Sequence, residues 1–237
     1  MEASTTPFAT LHTTTAFPHA RAMKTLAAAS INGLTLAIPP DFAFGTTNTT
    51  PAFLAKFPHG KIPALETASG FLLSESSAIA HYVCDSGPAR DQLLGRSAEE
   101  RALVQMWASL ADEEILANAA PLVGAATGRQ RYIPEIQEVK EMQFLRAMRR
   151  LEVHLENAGR GRTWLVREDE LSLADLSVAS SLYWPLKFIL DGEARGRFPR
   201  VMGWWERLMA VEEVGKAFGA PLAFCEKRPE VLGEAKK

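Results

Sequence analysis

Residues 61–83 read KIPALETASGFLLSESSAIAHYV. Two short apolar runs, IPALE and GFLLS, flank TASG, which is a hairpin signal. Pro63 stands at the mouth of the first run. After the second run come Glu75, Ser76 and Ser77, then AIAHYV. Hydroxyls just before an apolar-periodic run mark a helix start. The stretch therefore predicts strand, turn, strand, helix.

Upstream, FATLHT (8–13) predicts a strand and PHARAMKTLAAASING (18–33) a helix that stops at Gly33. LTLAI (34–38) predicts a second strand, closed by Pro39 and Pro40. Thr50-Pro51 pairs a hydroxyl N-cap with proline at the first helical position. The order is β-α-β-α-β-β-α. Past a polar linker around GPARDQLLGR, everything reads helical. Ser97-Ala-Glu-Glu100 is a capping box opening a helix to about Ala120. Pro134 opens another, with Ile136, Val139, Met142, Leu145, Met148, Leu151 and Leu155 near helical spacing, ending at Gly159. Ser172-Leu-Ala-Asp175 is a second box, and its helix is apolar nearly all round, so it should be buried until Pro185 kinks or ends it. FPRVMGWWERLMAV (198–211) predicts a further amphipathic helix. The expected units are residues 1–88 and 97–237.

The 237 residues are 47% hydrophobic and 23% charged, with a net charge of −2, as expected of a soluble globular protein with no polyelectrolyte partner. MEASTTPFAT carries no secretory signature, and no apolar run approaches the roughly 20 residues of a membrane span. Two cysteines give no disulfide framework, so a reduced cytoplasmic setting is expected, in which the Asn48-Thr49-Thr50 sequon carries no sugar. The five histidines are scattered without zinc spacing, which predicts no metal site. No phosphate-cradling glycine loop is present. The basic stretches RQRY and RAMRR read as a solvated or subunit-facing surface, not a nucleic-acid site.

A β-α-β-α-β-β-α unit with Ile62-Pro63-Ala-Leu and Glu75-Ser76-Ser-Ala-Ile, followed by helices with Ser172-Leu-Ala-Asp175, resembles the cytosolic glutathione S-transferases. Within that group it is most similar to the transferase-like region of translation elongation factor 1B gamma. The segments that carry the resemblance are PAFLAKFPHGKIPALE, GFLLSESSAIAHYV, LSLADLSVASSLYW, RFPRVMGWWERL and FCEKRP. The chain stops at EVLGEAKK, which suggests a free-standing relative of the kind typical of fungi, where some serve natural-product pathways.

The resemblance implies a thioredoxin-like domain followed by a helical bundle, binding glutathione and dimerising with a second copy. It implies a cis Pro63 that aims the Ile62 backbone at the cysteinyl unit. It implies Ser76 and a helix start for the γ-glutamyl carboxylate, and Glu75 for the ammonium. Lys56, His59 and Lys61 are the candidates for the glycyl carboxylate. The position that activates the thiol usually holds Tyr, Ser or Cys after the first strand. Here HTTTAFPHAR (12–21) has none of these, leaving Thr15 or Thr14 to hold the thiolate with help from the helix dipole. Phe17, Met106, Trp107 and Leu110 are expected to wall the electrophile pocket. The expected chemistry is thiolate addition to a conjugated alkene, ending in conjugation or in cis/trans isomerisation. The alternative is a non-catalytic interaction module.

Overall fold

The computed structural model describes residues 6–157 and 159–229. The terminal stretches MEAST and EVLGEAKK, and the expectations attached to them, lie outside the described residues. The first unit opens with β1 (Ala9–His12), α1 (Ala20–Ile31) and β2 (Leu36–Ala37). After a short 3₁₀ turn come α2 (Pro51–Lys56), β3 (Ala64–Thr67), β4 (Leu72–Leu73) and α3 (Ser76–Asp85). The sheet runs β2-β1-β3-β4, with β1 parallel to β2 and antiparallel to β3. Leu11 faces Leu65 and His12 faces Ala64 across the central pair. This is the thioredoxin-like unit that the resemblance implies, and it ends in the strand, turn, strand and helix read from residues 61–83.

Local chemistry sets several boundaries as expected. Thr50 accepts from the Phe53 amide at 3.2 Å, with Pro51 opening α2. The hairpin between β3 and β4 forms, and the Ile62–Pro63 bond that leads into β3 is cis.

The helical unit follows: α4 (Arg90–Leu94), α5 (Ala98–Leu110), a π-helical turn at Ala111–Leu116, and α6 (Ala117–Ala126). Then come α7 (Pro134–Glu156), α8 (Leu173–Phe188), α9 (Gly192–Gly196), α10 (Pro199–Met209) and α11 (Glu212–Phe218). The predicted linker thus contains a short helix, α4. The helix expected to stop near Ala120 runs on to Ala126 through the π turn, with Pro121 inside it. Ser97 accepts from the Glu100 amide, but Glu100 reaches back to the Arg96 amide, so the box is shifted by one donor.

Pro185 does not end α8, because its missing amide falls in the last turn. The apolar stripe of α7 divides: Met148, Leu151 and Leu155 are core, whereas Ile136, Val139 and Met142 are exposed. Its first turns meet α6 on another face, where Gln137 is buried and Lys140 donates to Asn118 at 3.0 Å.

The core is continuous across both units. α1 packs on α3 within its own unit and on α8 and α11 of the other. A satellite cluster of Phe42, Phe53, Phe57, Ile62 and Ala64 lies beneath α2, with the His12 ring 5.6 Å from both Phe53 and Phe57. Among the described residues, no helix is long and apolar enough to cross a membrane.

Candidate functional site

A cleft of about 390 Å³ opens on the first unit. Ser74, Glu75 and Ser76 contribute from the start of α3, and Ile62 and Pro63 from the entry to β3. His59, Lys61 and Phe57 come from the loop after α2, and Arg21 from the first turn of α1.

That loop is pinned by a buried amide. Asn48 donates to the Gly60 carbonyl at 2.6 Å and accepts from the Gly45 amide at 2.6 Å. Gly60 has φ +58°, and a Cβ there would lie 2.9 Å from the Asn48 carbonyl oxygen, so the turn that carries His59 and Lys61 needs glycine. Asn48 is 6% exposed and uses both ends of its amide, so the sequon's asparagine holds the fold.

Glu75 sits at φ 68°, a conformation that costs a side-chain-bearing residue on the order of 1–3 kcal/mol. It is the N-cap residue of α3, yet its side chain makes no capping bond. The first-turn amides of α3 and the buried Ser76 hydroxyl are therefore left to receive an anion. Arg21 adds a cation that the sequence reading did not pick out. Its signal was its place one turn into the helix after β1.

The cleft thus joins six of the expected binding residues: Ile62, Pro63, Glu75, Ser76, His59 and Lys61. Lys56 is not among them. Its ammonium binds both oxygens of Glu66, at 2.7 and 2.8 Å. The Glu66 carboxylate also lies 3.5 Å from His12, so Lys56 belongs to a surface ion pair.

Thr14 is buried and accepts from the Ala16 amide at 3.2 Å, whereas Thr15 is exposed. Neither lines the cleft. Beside them Thr13 bonds His19 Nδ1 at 3.2 Å. Burial, with Arg21 nearby, pulls the His19 pKa down to about 4, so its imidazole is neutral and a weak base at pH 7. No side chain caps α1. Cys84 is fully buried and its thiol is pushed well above the ordinary range by that burial, so it supplies no thiolate.

Phe17 is half-buried and edge-on to Phe44 at 6.1 Å. The expectation that Trp107 walls an open pocket does not hold. It is 1% exposed, 4.6 Å from the His154 ring and under the Arg150 guanidinium. Met106 meets the same Arg150 at 3.4 Å, and Leu110 packs against the core. A small apolar hollow, about 220 Å³, instead lies past the π turn, between Leu116, Ala120 and Val123 on one side and Trp184 on the other.

Residues 9–85 match the glutathione S-transferase N-terminal domain, and residues 117–212 match the C-terminal domain. This chain belongs to the glutathione S-transferase family. A glutathione S-transferase-like protein of Aspergillus aculeatus is 44% identical over 86% of this chain and 94% of its own length. The glutathione S-transferase-like protein LUC7 of a Fusarium species is also 44% identical, over 89% and 94%. Pig elongation factor 1-gamma is 36% identical over 92% of this chain, which spans 48% of that relative.

In structure, the transferase-like domain of yeast elongation factor 1-gamma superposes with a TM-score of 0.79 at 21% identity, covering 95% of this chain and all of that one. The glutathione transferase URE2P6 of Phanerochaete chrysosporium, solved with oxidized glutathione, gives 0.77 at 22% identity, covering 90% and 96%. These likenesses place the transferase fold beyond the motifs themselves.

Proposed function

We propose that the chain binds glutathione in this cleft and turns its thiolate on an electrophilic small molecule with a conjugated alkene. The observation that carries the reading is the match of charges. Glutathione presents one ammonium and two carboxylates. The cleft offers one carboxylate, Glu75, and two anion-receiving sets: Ser76 with the start of α3, and Lys61 beside His59, with Arg21 near. In this assignment Glu75 meets the γ-glutamyl ammonium and Ser76 its carboxylate. The cysteinyl unit lies along the Ile62 backbone. The glutathione complex of the URE2P6 structure and the fungal relatives support it.

The thiol must ionise to react, and each unit of pKa depression is worth about 1.4 kcal/mol. The Thr14 hydroxyl accepts from Ala16 and so keeps its proton to donate to a thiolate. Thr15 or the uncapped first turn of α1 are the other donors. The thiolate adds to the alkene carbon β to the carbonyl, forming a C–S bond as the π electrons move onto the conjugated carbonyl. Protonation of that enolate completes conjugation. Rotation about the new single bond, followed by expulsion of the thiolate, returns glutathione and an alkene of changed geometry.

Calorimetry with glutathione tests binding, and product analysis with unsaturated ketones tests the chemistry. Glutathione consumed marks conjugation; glutathione conserved with isomerised product marks the isomerase. The protein acts, in this reading, in the cytoplasm as a homodimer, pairing through the face that carries the exposed Phe71.

One observation favours a second reading, a glutathione-binding interaction module. The loop after β1 holds no Tyr, Ser or Cys, and neither threonine lines the cleft. Tight binding with no turnover on any acceptor would select it.

A further inference from the structure

α6 ends in a tight glycine cap. Gly128 has φ +69°, its amide donates to the Ala125 carbonyl at 3.0 Å, and the Arg129 amide donates to the Gly124 carbonyl at 2.8 Å. In such a cap the residue at the place of Arg129 is commonly apolar and packs back on the last turn of the helix. Here it is an arginine with a glutamine beside it, and both line the hollow of about 220 Å³ past the π turn. Gly124 makes room for them, since a Cβ there would lie 2.7 Å from the Gln130 side chain.

The rest of the hollow is largely apolar, with Leu116 and Val123 facing Trp184. The Trp184 ring is held by Phe188, stacked at 5.6 Å, and by the Lys187 ammonium 5.8 Å from its centre. Among the residues that line the hollow there is no carboxylate. Among the described residues, the Arg129 guanidinium has no ion-pair or hydrogen-bond partner. A cation at the rim of an apolar hollow fits an apolar body that ends in an anion. One guanidinium beside one amide suits a carboxylate, which takes parallel N–H donors. The volume is that of about seven waters, enough for an aromatic ring or a short chain.

The hollow also lies close to the reacting end of glutathione in the reading above. Ser180 of α8 donates to the Ala20 carbonyl, in the first turn of α1, at 2.6 Å. Trp184 stands one turn farther along the same face of α8, about 5.4 Å on.

We propose that the electrophile is an unsaturated ketone that carries a carboxylate, and that Arg129 receives this carboxylate while the body of the molecule lies against Trp184. The inference rests on the glutathione reading and narrows it to a substrate class. The stretch RQRY, whose sequence suggests a solvated or subunit-facing surface, then holds the residue that determines specificity.

The test is calorimetry on the full chain with glutathione present, using para-carboxybenzylacetone and its methyl ester. Both are saturated ketones, so turnover does not interfere, and only the acid is charged. Wild type should bind the acid about tenfold more tightly than the ester, the gain expected of one charge-assisted bond. Arg129 is exposed, so Arg129→Met should keep the fold. It should bring the acid down to the ester and leave the ester and glutathione as in wild type. Trp184→Leu should weaken acid and ester alike. A wild type that binds the acid no better than the ester, or an acid preference that survives Arg129→Met, overturns the role of Arg129. Unchanged binding of both ligands in Trp184→Leu overturns the placement in the hollow. Glutathione titrated alone separates the two readings: a wild-type chain that does not bind it overturns the glutathione reading, and this inference with it.

Discussion

Ser76, Thr14 and His19 each carry a separate expectation. Ser76 is 4% exposed and is the first residue of α3, whose N-cap side chain makes no capping bond. Ser76→Ala should weaken glutathione by about 1–3 kcal/mol in a calorimetric titration, the cost of a lost bond to a charged group. Unchanged affinity would remove the γ-glutamyl assignment. Thr14→Val and Thr15→Val are nearly isosteric and remove only a donor. If one hydroxyl holds the thiolate, its variant should lose about tenfold to 150-fold in turnover with glutathione affinity intact, and recover as pH rises. A flat result at both would give the role to the amides of α1. His19 is neutral in the fold with a pKa near 4, against 6.5 for the free residue. Between those values the unfolded chain binds the extra proton, so stability falls as pH drops from about 6.5 toward 4, by at most about 1.4 kcal/mol per unit. His12 and His154, both lowered by burial, add in the same direction. Melting temperature measured across that range should fall with acid, and less steeply in His19→Asn.

Among the elements, α8 depends on one carboxylate. Asp175 is 0% exposed and accepts from the Ser172 amide at 2.9 Å, the Leu165 amide at 3.0 Å and Trp204 Nε1 at 2.9 Å. Burial lifts its pKa even against those bonds. The capping role was legible, because hydroxyl-x-x-acid is local chemistry, as was Thr50-Pro51. The loop and helix that share the same carboxylate were not, since Leu165 and Trp204 reach it only in the folded chain. Asp175→Ala strands three buried donors and should cost about 3–5 kcal/mol in denaturant unfolding, well beyond a surface cap. A midpoint shift of ordinary cap size would show that the donors find other partners. The cleft was legible for a similar reason: its residues lie within short runs around 59–63 and 74–76. Arg21, and the ion pair of Lys24 with Asp112 at 3.5 Å, join positions whose distance in sequence hides them. The π turn was equally silent, because its register depends on what the helix packs against. Trp107 misled because an aromatic on a long helix looks the same from sequence whether it walls a pocket or fills a core.

For the whole molecule, the first expectation concerns assembly. A groove of about 800 Å³ runs between the units, with Phe71, Leu73, Tyr82 and Val104 among its walls, and Phe71 is 47% exposed. A homodimer pairing there should sediment at twice 26.0 kDa, and Phe71→Asp should return it to a monomer. Sedimentation of wild type as a monomer would end that assignment. The second concerns α1. It belongs by sequence to the sheet-bearing unit, yet it lies against α8 and α11, and Ser180 donates to the Ala20 carbonyl at 2.6 Å. One helix thus carries the continuous core from one unit into the other, and a protease that nicked the chain between residues 86 and 97 would not separate them. The nicked halves should travel through a sizing column as one particle. The first half, expressed by itself, would bare the flank of α1 and the buried Lys24 ammonium together, and should be recovered only as aggregate until the second half is supplied.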